Sequence, residues 1–172
     1  MFGSVQYPIE QHHSLRSPMD KSQVYWSFGG STVLTKYMAR LTPSTQDRRG
    51  WLWNEYPLES SQFEIETRFE VSSKPHFGGD GMAIWIIKPI SDDPAFAQYV
   101  DAFNGPIFGM NDNFNGIGIL LDVYDNDSKR NNPSIFAVVN DGNKRNYNHD
   151  NDFGRYNQIY THLLYYTMVI LT

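Results

Sequence analysis

The chain has 172 residues, of which 15% are aromatic and 19% are charged, and its net charge is −5. This length fits one domain with a core of its own, and no run of lysine and arginine is long enough to follow a phosphate backbone, so nucleic acid is not an expected partner. The absence of cysteine excludes thiol catalysis, zinc–thiolate sites and disulfide bonds.

Short apolar runs separated by glycine, asparagine, aspartate, serine and proline predict strands and turns rather than helices. The residues before about Val24 are predicted to lie over the surface or to form an edge segment, and residues 24–41 to form strands and turns. Residues 50–54 are predicted to form an aromatic strand. In residues 63–71 apolar and charged side chains alternate, which predicts a strand with one solvent-facing side.

Residues 82–87 are apolar on both faces, which predicts a central strand with a covering layer on each side. Residues 91–104 are predicted to be a long loop. Residues 117–121 and 135–139 are predicted strands, joined by a polar loop at 125–133, and this spacing predicts an all-β sandwich or jelly roll. The residues predicted to form an aromatic core are Trp26, Trp51, Trp53 and Trp85.

Side-chain oxygens cluster directly after the strand at 117–121, in the sequence LDVYDND of residues 121–127. A carboxylate at the end of a buried strand is costly unless a cation or a hydrogen-bond donor meets it. Calcium takes six to eight oxygen ligands, and Asp122, the Tyr124 main chain and Asn126 could offer such oxygens. The later acid Asp152 could complete the set. The spacing excludes an EF-hand, because the sixth position holds aspartate where glycine is required and the twelfth holds proline.

Each of these signals has an alternative interpretation. Asp80 lies between two glycines and could be a turn residue, the acidic cluster could be a solvated loop, and His149 could be a surface histidine. Asn126 also begins a glycosylation acceptor, Asn-Asp-Ser, but a glycan on Asn126 would exclude its use as a metal ligand. The ligand interpretation is preferred.

Seven motifs follow one another in a fixed order. They are HSL (13–15), GSTVLT (30–35), RLTP (40–43), GDGMAIW (79–85), PIFG (106–109), LDVYDND (121–127) and VNDG (139–142). In this order they resemble the L-type lectins of the early secretory pathway, the legume-lectin-like mannose lectins that act as cargo receptors between endoplasmic reticulum and Golgi. The resemblance implies an N-terminal extension at residues 1–10, a lectin-like domain at 11–154 and a divergent apolar tail at 155–172.

The resemblance also implies a concanavalin-like β-sandwich of two antiparallel sheets that binds high-mannose N-glycans of glycoproteins with Ca²⁺, with no bond made or broken. The implied location is the lumen of the endoplasmic reticulum, the intermediate compartment or the Golgi. The implied sugar contacts are Asp80, Tyr124, Asp125, Asn126, His149 and Asp47, and the implied metal ligands are Asp122, Tyr124, Asn126 and Asp152. Among these, Asp80 would accept hydrogen bonds from mannose hydroxyls and Asn126 would serve both metal and sugar.

The sequence departs from the family pattern in three places. Asp47 stands where the family tends to place a serine, and Phe153 replaces the glycine that follows the last calcium acid. After Gly154 the resemblance ends, so the sandwich is expected to be incomplete at its C-terminal end. No signal peptide or membrane-spanning helix is recognised, because the apolar run at 163–171 is far shorter than the roughly 20 residues needed, so membrane anchoring is expected only through segments absent from this chain.

The rival class is enzymatic, because concanavalin-like sandwiches also carry glycosidases that use paired carboxylates. Glu64 and Glu66 share one face of a predicted strand. The glycosidase pattern fails, since it requires aspartate and glutamate where Glu66 and Phe69 stand. The protein is therefore not expected to be an enzyme, and the remaining alternative is an inactive fragment that binds nothing.

Overall fold

The structure is a computed structural model, and it describes residues 8–19, 25–72, 79–88 and 104–144. These residues contain seven β-strands and one short 3-10 helix at Gln11–His13. They fall into two compact units, the first ending at Glu70 and the second beginning at Val71. Within the described ranges, no helix is both long and apolar enough to cross a membrane. The strand content agrees with the all-β prediction.

The first unit contains two small antiparallel pairs of strands. They are β1 (Trp26–Gly30) with β4 (Gly50–Asn54), and β2 (Val33–Leu34) with β3 (Ala39–Arg40). Thr35 closes the turn between β2 and β3, because its hydroxyl accepts hydrogen bonds from the backbone N–H groups of Tyr37 and Met38. The strands predicted in residues 24–41 and 50–54 are therefore confirmed.

The second unit contains a three-stranded antiparallel sheet. Its strands are β5 (Gly81–Ile87), β6 (Asn115–Asp122) and β7 (Ser134–Asp141), with β6 in the middle. Leu120 of β6 and Val138 of β7 point to one face and pack with Ile107, Met110 and Phe114 in a buried cluster. Trp85 of β5 lies against this cluster, 5.0 Å from Phe114 between ring centroids. This cluster anchors the strands whose ends carry Asp80 and Asp122.

The opposite face of this sheet is also apolar. Directly paired residues share a face, and the register brings together Met82, Ile84, Ile86, Ile117, Ile119, Leu121, Ile135, Ala137 and Val139. Leu121 is buried, whereas the outer residues Ile135 and Val139 are exposed by 46% and 48%. The predicted strands at 117–121 and 135–139 are confirmed, and each extends beyond its predicted bounds.

The strand predicted at residues 63–71 is wrong in its extent, since only Thr67 and Arg68 make β-bridge pairings. Phe63 and Ile65, on the supposed inner face, are exposed by 49% and 45%. Alternation gives a chain the side-chain pattern of a strand, but a strand also needs a neighbour along its whole length. Among the described residues this segment has no such neighbour.

Two further predictions are corrected in part. Residues 82–87 form a strand, but β5 flanks the described sheet and its side chains are half-buried, whereas the middle position belongs to β6. The four tryptophans are also half-buried rather than buried, because β1, β4 and β5 each lie beside only one described strand. Most of the loop predicted at 91–104, and the tail at 155–172, lie outside the described residues.

Candidate functional site

The backbones of two acidic residues, Asp80 and Asp122, are joined at one end of the three-stranded sheet. Asp122 ends β6, and its Cα partner in the ladder is Gly81, the residue that follows Asp80. The backbone N–H of Val123 donates to the backbone carbonyl oxygen of Asp80 at 2.9 Å. The structure therefore joins two of the residues selected from the sequence, although they are 42 positions apart in the chain.

Asp80 occupies a backbone conformation that side-chain-bearing residues seldom adopt. Its φ angle is +34°, and its side chain is exposed. A left-handed backbone costs an L-residue about 1–2 kcal/mol relative to the ordinary regions. The next residue must be glycine, because a Cβ atom on Gly81 would overlap the carbonyl oxygen of Leu121. Strain of this kind is concentrated at binding and catalytic sites, where it fixes the direction of a functional side chain.

Asp122 is the buried member of the pair, with 2% of its surface exposed. Its Oδ1 accepts a hydrogen bond from the backbone N–H of Tyr124 at 3.1 Å. The Tyr124 carbonyl in turn accepts from the side-chain amide of Asn132 at 2.9 Å, while the Tyr124 side chain is 42% exposed. The polar loop between β6 and β7 therefore folds back toward the end of β6.

This loop buries oxygen atoms without supplying donors for them. They are Asp125 Oδ1, Asn126 Oδ1, Asn131 Oδ1, Asn132 Oδ1 and Ser134 Oγ, and none has a hydrogen-bond partner among the described residues. Leaving one buried acceptor unsatisfied costs about 1–3 kcal/mol, so several of them in one native loop indicate that these oxygens bind something, such as an ion. A set made of carboxylate, amide and hydroxyl oxygens fits a hard cation such as Ca²⁺.

The first half of the loop is acidic, and two basic residues, Lys129 and Arg130, follow in its second half. Asp122, Asp125 and Asp127 fall within six residues. The Asp127 carboxylate lies 2.6 Å from the ammonium of Lys129, and this contact lowers the pKa of Asp127 below its ordinary value. Asp125 Oδ2 accepts from the backbone N–H of Arg130 at 2.9 Å. The loop therefore attracts cations as well as offering them ligands.

The other selected residues have different positions. Asp47 belongs to the first unit, where it is exposed in the loop between β3 and β4 with a φ of +57°. His149 and Asp152 lie outside the described residues. Within residues 8–19, 25–72, 79–88 and 104–144, no three histidine, aspartate or glutamate side chains converge as a metal site, so main-chain and amide oxygens must supply part of any ligand set here.

The structure adds three residues that the sequence analysis missed, namely Asn131, Asn132 and Ser134. The run Asn-Asn-Pro-Ser at the end of the polar loop was a usable signal, because amide side chains and a hydroxyl next to a strand are unusual unless they bond to something. They bring the number of candidate oxygen-bearing residues close to what calcium requires.

The described residues combine β-strands with a rim of acceptor oxygens at one end of the three-stranded sheet. The comparison with known families makes this specific. The model of the legume-like lectin family matches residues 6–162, and the chain belongs to that family.

Individual relatives have similar sequences. The chain is 32% identical to mouse (Mus musculus) protein ERGIC-53 over 146 residues, which cover 85% of this chain and 26% of the relative. It is 34% identical to dog (Canis lupus familiaris) vesicular integral-membrane protein VIP36 over 159 residues, which cover 88% of this chain and 41% of the relative. The chain thus spans between about a quarter and two-fifths of the curated relatives that it matches.

Solved structures extend the likeness to three dimensions. The Ca²⁺/Man3GlcNAc-bound exoplasmic/lumenal domain of VIP36 superposes with a TM-score of 0.65 at 32% identity, over 87% of this chain and 57% of that domain. The metal-free form of the same domain gives a TM-score of 0.64. The predicted all-β, concanavalin-like class and the family resemblance are therefore confirmed. The family is one of lectins, which are carbohydrate-binding proteins and not enzymes.

Proposed function

We propose that this chain binds high-mannose N-glycans of glycoproteins in a calcium-dependent manner, in the lumen of the early secretory pathway. The observation that carries the proposal is the group of buried oxygens after β6, which lack donors among the described residues and follow buried Asp122 in the chain. The solved VIP36 domain with bound Ca²⁺ and Man3GlcNAc supports both the metal and the sugar class.

The residues proposed to hold the ion are the Asp122 carboxylate, the Tyr124 carbonyl and Asn126 Oδ1, joined by Asp152 from the following segment. Asn126 Oδ1 fits the role because it is buried and lacks a hydrogen-bond donor among the described residues. The carbonyl of Tyr124 has a second lone pair beside the one that Asn132 uses. A bound calcium ion would supply a fixed positive charge that holds these oxygens in one arrangement.

The sugar is proposed to lie at the rim formed by Asp80, Tyr124, Asp125 and Asn126, with His149 as a further contact. A mannose residue carries no charge, so its affinity must come from hydroxyl groups that meet fixed acceptors and donors. Asp80 suits this role because its side chain is exposed while its backbone is held by the hydrogen bond from Val123. The hydrogen bond from Val123 therefore couples the order of the loop to the orientation of the Asp80 carboxylate.

The glycosidase alternative has little support in the geometry. Glu64 and Glu66 lie in a segment without a strand neighbour among the described residues, and both side chains are exposed. A glycosidase needs two carboxyl groups held rigidly on opposite sides of the scissile bond, one of them with a raised pKa. Two glutamates that are two positions apart on one exposed segment do not provide this arrangement.

Isothermal titration of the protein with calcium, followed by a high-mannose oligosaccharide, tests the proposal. Heat from the sugar should appear only after calcium has been added. Asn126→Ala should abolish both signals, whereas Asn111→Ala, an exposed asparagine outside the loop, should preserve both. Sugar binding that is unchanged in excess chelator would contradict the mechanism, and the absence of heat with either ligand would identify an inactive fragment.

A further inference from the structure

Lys129 supplies a compensating positive charge within the acidic loop. Its ammonium lies 2.6 Å from Asp127 Oδ2, and its backbone N–H donates to Asp127 Oδ1 at 3.0 Å. One residue thus engages both oxygens of the same carboxylate. The Asp127 side chain is only 7% exposed, whereas the Lys129 side chain is 63% exposed. The carboxylate is therefore fixed in the loop, while the lysine reaches it from the solvent side.

A nearby divalent cation would oppose this arrangement. Without a cation, Asp122, Asp125 and Asp127 repel one another, and the ammonium offsets part of that repulsion. A calcium ion in the same loop adds two positive charges, so it repels the ammonium and competes with it for the same negative field. The lysine can move into water at little cost, because its own side chain is 63% exposed.

We propose that Lys129 is a built-in competitor of calcium, which sets the affinity of the loop for the metal. The proposal rests on the proposed function, because it assigns a role to Lys129 in the same calcium site. When calcium is scarce, the ammonium neutralises part of the negative charge of the loop and limits the repulsion between carboxylates that would otherwise open it. When calcium is abundant, the ion replaces the ammonium, and Lys129 turns to solvent.

The chain offers a matched control. Arg130 is the next residue, it carries the same charge and is also exposed, and its contact with the loop is made by its backbone N–H to Asp125. Replacing Arg130 with glutamine changes the net charge by the same amount as replacing Lys129, but it leaves that backbone contact in place. A general charge effect would move the two variants alike, whereas direct competition would move only Lys129→Gln.

The test measures calcium affinity by calorimetry, and thermal stability in excess chelator, for wild type, Lys129→Gln, Lys129→Arg and Arg130→Gln. We expect Lys129→Gln to bind calcium roughly three- to tenfold more tightly, and Arg130→Gln and Lys129→Arg to stay within about twofold of wild type. In chelator, Lys129→Gln should melt at a lower temperature than Arg130→Gln, because the loop has lost its counter-ion.

The outcomes separate this proposal from the one on which it rests. If wild type binds calcium, and Lys129→Gln and Arg130→Gln have the same calcium affinity as each other, direct competition by Lys129 is refuted and the calcium site stands. If neither wild type nor Lys129→Gln binds calcium, both proposals fail. If calcium binds only after Lys129 is replaced, the competitor is supported in its strongest form, since the ammonium alone then excludes the ion.

Discussion

Replacing Asp122 with asparagine should change the stability of the protein in opposite directions with and without calcium. The Asp122 side chain is 2% exposed, and its Oδ1 accepts from the backbone N–H of Tyr124. Asparagine has nearly the same size and keeps an oxygen that can accept this bond. The substitution therefore removes the charge and leaves the packing, which makes it a test of the buried carboxylate alone.

The magnitudes follow from burial and from ligand linkage. In excess chelator we expect Asp122→Asn to raise the free energy of unfolding by about 1–2 kcal/mol, because a neutral amide avoids the desolvation cost of a carboxylate buried to this degree. In calcium at 100 times its dissociation constant, wild type should gain about 2.7 kcal/mol. At about 2–4 °C per kcal/mol for a chain of this size, the wild-type melting temperature should rise by about 5–10 °C. The variant should gain little.

Differential scanning calorimetry in chelator and in excess calcium measures both effects. The control is Asp112→Asn, which removes a half-buried aspartate outside the loop and should leave the calcium-induced shift intact. The reasoning is refuted if Asp122→Asn melts below wild type in chelator and still shows the full shift with calcium. That result would mean that the carboxylate stabilises the fold and contributes nothing to metal binding.

Three other substitutions test separate parts of the molecule. Asp80→Gly should relieve the strain at φ +34° and raise the melting temperature slightly, yet abolish sugar binding in a calorimetric titration. Phe114→Ala, in the buried cluster, should cost about 3–5 kcal/mol in urea unfolding followed by circular dichroism, and equal midpoints would contradict the assigned core. Lys129 lowers the pKa of Asp127, so their pairing stabilises the protein above the ordinary aspartate pKa and is lost as the pH falls. In chelator, the stability difference between wild type and Lys129→Gln should therefore be present at pH 7 and should vanish in strong acid.

The strands of the second unit could be predicted because apolar side chains occupy both faces of the sheet, and each face is at least partly buried. Continuous apolar runs such as residues 117–121 are recognisable without knowledge of their partners. Residues 63–71 show where this approach fails. Their alternation is the more regular pattern, but pairing depends on a neighbouring strand that local sequence does not reveal, and Phe63 and Ile65 remain exposed.

The candidate site was predictable in part for a similar reason. Asp122 and Asn126 follow a buried strand directly, so their proximity is a local property of the chain. Asn132 is different, because its amide reaches the Tyr124 carbonyl only after the loop has turned back over eight residues. The link between Asp80 and the loop is also invisible in the sequence, since it is made by main-chain atoms.

That main-chain link has a consequence for how the protein can vary. The hydrogen bond to the carbonyl of Asp80 comes from the peptide nitrogen of Val123, so the valine side chain takes no part in it. The side chain at position 123 can therefore be substituted while Asp80 and the loop after β6 stay coupled. Proline is the exception, because it has no N–H to give. A saturation library at this codon, sorted for glycan capture, should show a broadly permissive position with proline missing.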